Sequence, residues 1–344
     1  MREIGSEFWT VDLNKNYDNN LDFLKFGKDF RLLMSGRTAI DFVLKDFKDN
    51  KKVVYMPDYC CESMIQPFKD NGYKIVYYNV DIVNNSYCID IDFNCSVFFA
   101  MSYFGYSISN MDKYIEQFSY RGVVVIEDIT HRFLCDINHC KSSTYMIASL
   151  RKWFPIISGA VAIKFTGVFK VDISDYTIDE DLVSKRKKAM NLKRQFIDGK
   201  FDDKNYFLNL YSESNKAIKY YNNKKIDELS FDILKHLDIN IIKKTRIENC
   251  NKIESLISKN QKTKLLYKYN KGDCPLFVPI VLYNRDFIRN ELVNNGIFLP
   301  VHWPNEIDSK NSIYDSELSL VCDQRYNTND IEEYIKKLIK IVGD

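Results

Sequence analysis

The sequence predicts an α/β fold: a large domain with a mainly parallel sheet between helices, then a small C-terminal α+β domain. Three observations carry this expectation. Between Lys51 and Phe165, short β-rich runs (KKVVYMP, YKIVYYNVD, SVFFAMSYFGY, GVVVIED) alternate with helical patterns. Continuous apolar strands separated by helices belong to parallel sheets covered on both faces. From Glu180 to about Lys259 the chain is highly charged and helical in pattern, and beyond the turn-like KYNKGDCP it returns to short strands and helices. A length of 344 residues suits two structural units or one large one. The expected division is 1–240 for the large domain and 241–344 for the small one.

Local pattern justifies each element in turn. MSGRTAIDFVL places Ser35, Gly36, Arg37 and Thr38 ahead of an apolar helical run. KKVVYMP leads into a helix near Ser63 to Asn71, and YKIVYYNVD, SVFFAMSYFGY and GVVVIED are further strands. DLVSKRKKAMNLKRQF and IKKTRIENCNKIESLI read as surface or domain-joining helices. The last part holds a strand (LFVPIVL), a helix from Arg285 to Asn294, short strands in GIFLPVHWP and LSLVCDQRY, and a closing helix. Thr328 or Asn329 is the expected cap of that helix, with Glu332 completing a capping box.

Composition narrows the classes of function. With 49 basic and 47 acidic side chains the formal charge is +2, so no global field draws the protein to nucleic acid or to an anionic membrane. No apolar run approaches the ~20 residues that cross a bilayer. The start, MREIGSEFW, lacks the apolar stretch of a signal peptide, and a cytoplasmic protein is expected. Nine cysteines without an export signal read as reduced thiols, most of them small core residues. His131, Cys135, His139 and Cys140 are metal-ligating types, yet their spacing matches no standard finger and paired Cys-x-x-Cys units are missing. No metal is expected. No Gly-x-Gly-x-x-Gly follows a strand, which disfavours a Rossmann-type nucleotide binder.

Four segments carry residues with chemical potential. A helix opening on Ser35, Gly36, Arg37 and Thr38 presents free backbone N–H groups and forms an anion site suited to phosphate, although an ordinary capped helix has the same pattern. GVVVIEDITHRF ends an apolar strand in Glu127 and Asp128 with His131 three residues on. A carboxylate there can pair with a cationic ring nitrogen, or cap the following turn. In MIASLRKWFPIISGAVAIKF, Ser149 and Lys152 sit between apolar strand-like runs. A lysine held among apolar groups beside a cation such as Arg151 becomes a nucleophile at neutral pH, whereas a solvated basic pair would have no such role. The rings of YFGY, Tyr103 to Tyr106, can line a pocket or pack in the core.

In combination and order these segments resemble the DegT/DnrJ/EryC1/StrS (sugar) aminotransferases, fold-type I enzymes dependent on pyridoxal 5'-phosphate, from SGRTAI to the C-terminal helix. SGRTAI resembles the family's phosphate loop, IEDITH its Glu-Asp-x-x-His/Gln segment, and Lys152 with Gly159 its lysine and glycine turn. The resemblance implies that Arg37 and Thr38 hold the phosphate, that Asp128 pairs with the ring nitrogen, that His131 meets the phenolic oxygen, and that Lys152 is the catalytic lysine; Gly36 and Ser149, whose hydroxyl can meet the phosphate, are further cofactor-binding candidates. It also implies an amino donor, with glutamate expected, a keto-sugar acceptor that is typically nucleotide-linked, a place in surface-polysaccharide or secondary-metabolite biosynthesis, and a homodimer. A non-sugar ketone as acceptor, or a cofactor-binding regulator without turnover, are the alternatives. His302 and Arg325 are candidate substrate contacts, Arg325 through a carboxylate or phosphate. The chain departs from the family at three places: Cys61 stands where an aromatic normally stacks on the ring, with Tyr59 as the possible substitute; the Asn-Tyr-Arg-Met segment is not evident in KRKKAMNLKRQF; and Ser149 lies closer to Lys152 than is usual.

Overall fold

A computed structural model describes residues 3–84, 86–107, 111–136, 141–304 and 312–343. The chain opens with a two-residue strand β1 (Ile4–Gly5), then β2 (Asp29–Leu33), α1 (Gly36–Lys45), β3 (Val53–Pro57) and α2 (Glu62–Asp70). It continues with β4 (Lys74–Asp81), β5 (Ser86–Cys88), β6 (Val97–Met101), α3 (Met111–Tyr120), β7 (Val124–Asp128), β8 (Tyr145–Ser149) and β9 (Ala160–Lys164). Four helices follow, α4 (Glu180–Ile197), α5 (Lys204–Ala217), α6 (Glu228–Lys235) and α7 (Ile239–Ile257). The remainder is β10 (Lys264–Leu265), β11 (Val278–Val281), α8 (Arg285–Asn294), β12 (Ile297–Phe298), β13 (Glu317–Leu320) and α9 (Thr328–Val342).

The central sheet has eight strands in the order β2-β9-β8-β7-β6-β3-β4-β5. Strands β4, β3, β6, β7 and β8 are mutually parallel. The expected α/β class with a mainly parallel sheet is therefore the observed one. β6 (VFFAM) and β9 (AVAIK) are buried at every residue, which is why their runs are continuously apolar instead of alternating. β9 runs antiparallel to both β8 and β2, so β2 ends at the same edge as the parallel strands. Pro57, Met101, Asp128 and Ser149 all stand at that edge, and α1 starts beside it. The chain builds β3 and β4 outward and then returns to β6 on the other side of β3. That reversal opens a crevice at the carboxyl ends of the strands.

In the C-terminal part, β10, β11 and β13 form an antiparallel sheet. A separate two-stranded parallel sheet ties β1 to β12, with Ile4 and Gly5 paired to Ile297 and Phe298. The turn at YFGY fastens this part to the main sheet. Gly105 adopts φ +87°; its carbonyl accepts the Cys274 N–H (3.1 Å), and the Phe104 carbonyl accepts that of Leu276 (2.8 Å). Tyr103, Phe104 and Tyr106 are all buried, so this aromatic segment is core packing.

Helix ends show how the charged middle region is organised. Each of α4, α5, α6 and α7 is opened by an aspartate, Asp179, Asp203, Asp227 and Asp238, whose carboxylate accepts the N–H three residues on. The cap of α9 is one residue earlier than the sequence suggests. Asn327 accepts from the N–H groups of Asn329 (2.9 Å) and Asp330 (3.0 Å), and the Asp330 carboxylate returns the bond to the Asn327 N–H (3.0 Å). Asp330 is correctly spaced for a capping box on Asn327, whereas Glu332 points sideways and pairs with Lys252 of α7 and Lys336. Replacing Asn327 by Ala is expected to lower unfolding free energy by ~1 kcal/mol in a urea titration, while Glu332→Ala leaves the midpoint nearly unchanged.

Candidate active site

At the active edge the anion corner begins with Ser35, whose hydroxyl accepts the Thr38 N–H at 3.3 Å and caps α1. The N–H groups of Gly36 and Arg37, in the first turn, have no intrahelical acceptor and point out of the helix with its positive dipole end. A Cβ added to Gly36 would lie 3.5 Å from Ser149 Cβ, so the helix start faces the end of β8. Two guanidiniums complete the corner. Arg37 and Arg151 each carry a buried Nε with no hydrogen-bond partner among the described residues. Burial and the charges of Arg186 and Arg37 push the Arg151 guanidinium down to about 9 against the opposing pull of Glu7. An arginine keeps its proton in a protein, so the shift marks a cation short of anions. Glu7 is already committed to Arg186, which donates to it at 2.5 Å.

Lys152 ends a single 3-10 turn, Leu150–Lys152, between β8 and β9. The turn is pinned by Leu150 N–H to Gly159 O (3.1 Å) and by Trp153 Nε1–H to Thr130 O (2.6 Å). Gly159 adopts φ +153° there, which a side chain rarely tolerates. Three residues make one turn of a 3-10 helix, so the short Ser149-to-Lys152 spacing still delivers both side chains to one side. Lys152 Nζ lies 5.8 Å from the centre of the Trp303 ring.

Asp128, the last residue of β7, accepts the Thr130 N–H at 2.8 Å. Burial raises its carboxyl above the usual range, with Thr130 and the Lys152 charge pulling the other way. Glu127 alternates to the opposite face, where the Ser143 hydroxyl donates to it at 2.9 Å and burial pushes its carboxyl up to about 7. It takes no part in the cavity.

The cavity has a volume of about 590 Å³. Of the residues singled out in the sequence, Gly36, Arg37, Cys61, Asp128, Ser149, Lys152, His302 and Arg325 line it. Thr38, Tyr59 and His131 do not. Thr38 is fully buried, with its hydroxyl donated to Tyr221 O (3.2 Å) and within 3.0 Å of Ser35 Oγ. The Tyr59 hydroxyl donates to His302 O, and its ring packs against Tyr103, Trp303 and Tyr314. His131 is buried behind the wall; its Nδ1 accepts the Phe104 N–H (3.1 Å), and its buried Nε2 has no partner among the described residues. Arg325 is at the rim but occupied: it bonds Asp323 at 2.8 and 2.7 Å and reaches the carbonyls of Gly5, Ser6 and Glu7. These bonds make it a tie for the N-terminal segment at the edge of the cavity it was expected to serve. His139 and Cys140 lie outside the described residues, and the Cys135 thiol donates to Gly105 O at 3.3 Å.

Sequence reasoning missed several wall residues. Ser6, Glu7, Phe8, Arg246 and Arg289 also line the cavity. Arg246 is structural, stacked 4.6 Å over Trp153 and bonded to Pro275 O and Leu276 O. No local signal marks Glu7, because its importance comes from a contact with a helix almost two hundred residues away.

No protein-family profile matches the chain, and no curated protein matches its sequence. Solved structures do match. PseC of Helicobacter pylori, an aminotransferase involved in the biosynthesis of pseudoaminic acid, superimposes with a TM-score of 0.69 at 12% identity, covering 99% of each chain. A DegT DnrJ EryC1 StrS aminotransferase from Brucella abortus gives 0.63 at 13%, over 95% of this chain and 92% of that one. NtdA of Bacillus subtilis with bound cofactor PMP gives 0.62 at 12%, over 98% and 78%. The chain thus has the fold of these aminotransferases, as the fold-type I resemblance implied.

The anion corner makes a direct prediction. Inorganic phosphate is expected to raise the melting temperature of the protein, and Arg151→Met to weaken that effect at least ~10-fold in phosphate concentration, since a charge-assisted hydrogen bond is worth ~1.5–3 kcal/mol. Without phosphate, the same substitution is expected to stabilise the chain, because it removes a buried uncompensated cation.

Proposed function

We propose that the protein is a pyridoxal 5'-phosphate-dependent aminotransferase that moves an amino group from an amino acid, glutamate by expectation, to a keto sugar. One observation carries the reading. A lysine, a strand-end carboxylate and an anion corner with two orphaned guanidinium nitrogens converge on one cavity. The residues fit the cofactor at both ends. Arg37, Arg151, Ser149 and the free N–H groups of α1 suit a dianionic phosphate, and the buried Asp128 carboxylate is suited to a protonated ring nitrogen. Such a nitrogen would favour the ionised Asp128 that burial now opposes. When bound, the cofactor supplies an electron sink that a side chain cannot provide.

Within this proposal the chain's own groups have distinct tasks. Lys152 Nζ would hold the cofactor covalently, and it is the group that would accept and return the proton of the donor's α-carbon. Asp128 would keep the ring nitrogen protonated, and Thr130 N–H fixes the carboxylate that would do so. Cys61 takes the wall position expected of an aromatic, while His131 supports from behind without reaching the cavity. The nucleotide linkage of the sugar, a homodimer and action in the cytoplasm belong to the same proposal. No helix among the described residues is long and apolar enough to cross a membrane.

The test is the visible spectrum of the purified protein with pyridoxal 5'-phosphate, before and after glutamate. The expected result is a cofactor band that glutamate bleaches and that is missing in Lys152→Ala. A band that glutamate leaves intact would favour the regulator, and a Lys152→Ala band equal to wild type would remove the lysine from its role.

A further inference from the structure

The cavity wall contributed by the C-terminal part of the chain contains a second chemical device. His302 is buried and lines the cavity. Its Nδ1 lies 2.7 Å from Ser319 Oγ. The Ser319 hydroxyl donates to Glu317 Oε1 at 2.5 Å, and Glu317 Oε2 accepts the His302 backbone N–H at 2.7 Å. Glu317 and Ser319 are both fully buried. They are two residues apart on β13, so their side chains share one face of the strand. His302 Nε2 has no protein partner among the described residues, which leaves it as the end of this chain that is available to a ligand.

We propose that His302, Ser319 and Glu317 form a proton relay that takes a proton from an amine in the cavity and stores it on Glu317. This rests on the aminotransferase reading, because an amine must shed its proton before it attacks a carbonyl carbon. The step balances. The ammonium N–H breaks as a bond to His302 Nε2 forms, the Nδ1 proton passes to Ser319 Oγ, and the serine proton passes to Glu317 Oε1. The imidazole begins and ends neutral in opposite tautomers, the serine is regenerated, the ammonium becomes a neutral amine and the carboxylate becomes a neutral carboxylic acid. Nothing is oxidised or reduced.

The surroundings suit passage through the imidazole with storage beyond it. Burial and the Lys152 charge hold His302 well below the usual histidine range, so imidazolium does not accumulate. Burial pushes the Glu317 carboxyl up to about 8, opposed by the His302 N–H, the Ser319 hydroxyl and the Arg285 charge. Arg285 faces Glu317 from α8 and bonds its carbonyl at 2.7 Å. Tyr59, which follows β3 of the main sheet, and Tyr267, between β10 and β11, are also near enough to sense the Glu317 charge, and both stay neutral because burial raises them. His131 faces His302 with ring centres 5.4 Å apart and is itself held neutral by burial. Glu317 is therefore the titrating member near neutral pH. Ionised above about pH 8 it can accept a proton, and protonated below that pH it cannot.

The experiment is nitrogen-15 NMR of histidine-labelled full-length protein as pH is raised through about 8, with His302 assigned by its loss in His302→Gln. The expected result is a switch from the Nε2–H to the Nδ1–H tautomer in wild type, abolished in both Glu317→Gln and Ser319→Ala. In parallel, these variants should slow bleaching of the cofactor band by glutamate on the order of 100-fold while leaving the resting band unchanged. A single tautomer across the whole range in a folded wild type overturns the relay, whatever the cofactor does. A tautomer switch in a protein that forms no lysine-dependent band would overturn the aminotransferase reading and leave the relay standing.

Discussion

Five parallel strands ending at one edge of the sheet are the constraint on which the site depends. Tertiary geometry, not sequence proximity, brings Cys61, Met101, Asp128 and Ser149 to a common wall, because each lies at or just beyond the carboxyl end of its strand. The antiparallel β9 is equally necessary. By returning through the sheet it sends β2 to the same edge, so that α1 begins where β8 ends and its open N–H groups face Ser149. A polar site at this place costs the fold little, since strand interiors stay apolar and the functional groups occupy the residues that leave the sheet.

The site's charge arrangement follows from that placement. Arg37, Arg151 and Arg186 are drawn together where few waters can screen them, and Glu7 supplies the opposing carboxylate in their midst. The N-terminal segment is held there by Arg186, by Lys193 donating to Glu7 O at 2.5 Å, and by Tyr211 donating to Phe8 O at 2.6 Å. Arg325 adds its bonds to three consecutive carbonyls. Ser6, Glu7 and Phe8 are thereby held as part of the cavity rim. A fixed carboxylate on one arginine directs an incoming anion toward the two that have no ion-pair partner among the described residues.

Much of the fold was legible because its signals are local. Runs such as VVYMP and VFFAM are buried on both faces and so are apolar throughout, and the helix from Arg285 to Asn294 is observed with the bounds its pattern suggests. The lysine, the strand-end aspartate and the glycine-opened helix could also be read, since each must sit at an element's end. What could not be read depends on distance. Whether Thr38 faces a ligand or Tyr221 O, and whether Arg325 is free or bonded to the first turn of chain, is decided by residues far away in sequence. The cap at Asn327 was misplaced by one residue for a different reason: Asn, Thr and Asn stand in succession, and only the backbone bend selects among three competent caps.

Tyr59 illustrates how the two parts of the chain cooperate at the cavity. As a cofactor contact it would need a free face, but its ring is enclosed by Tyr103, Trp303 and Tyr314, and its hydroxyl holds the His302 carbonyl. The Tyr314 hydroxyl reaches back to Asp58 O at 2.7 Å, and that of Tyr267 to Ile82 O at 2.6 Å. These tyrosines brace the His302–Trp303 loop of the C-terminal part against the main sheet. The brace fixes the Trp303 ring beside the Lys152 ammonium and presents His302 to the cavity. An aromatic stacked in the cavity and an aromatic bracing its opposite wall are competing uses of the segment after β3. In this chain the bracing use is filled by Tyr59, which is consistent with the small Cys61 at the wall itself: with the opposite face set by tyrosine contacts, the wall needs room more than it needs another ring.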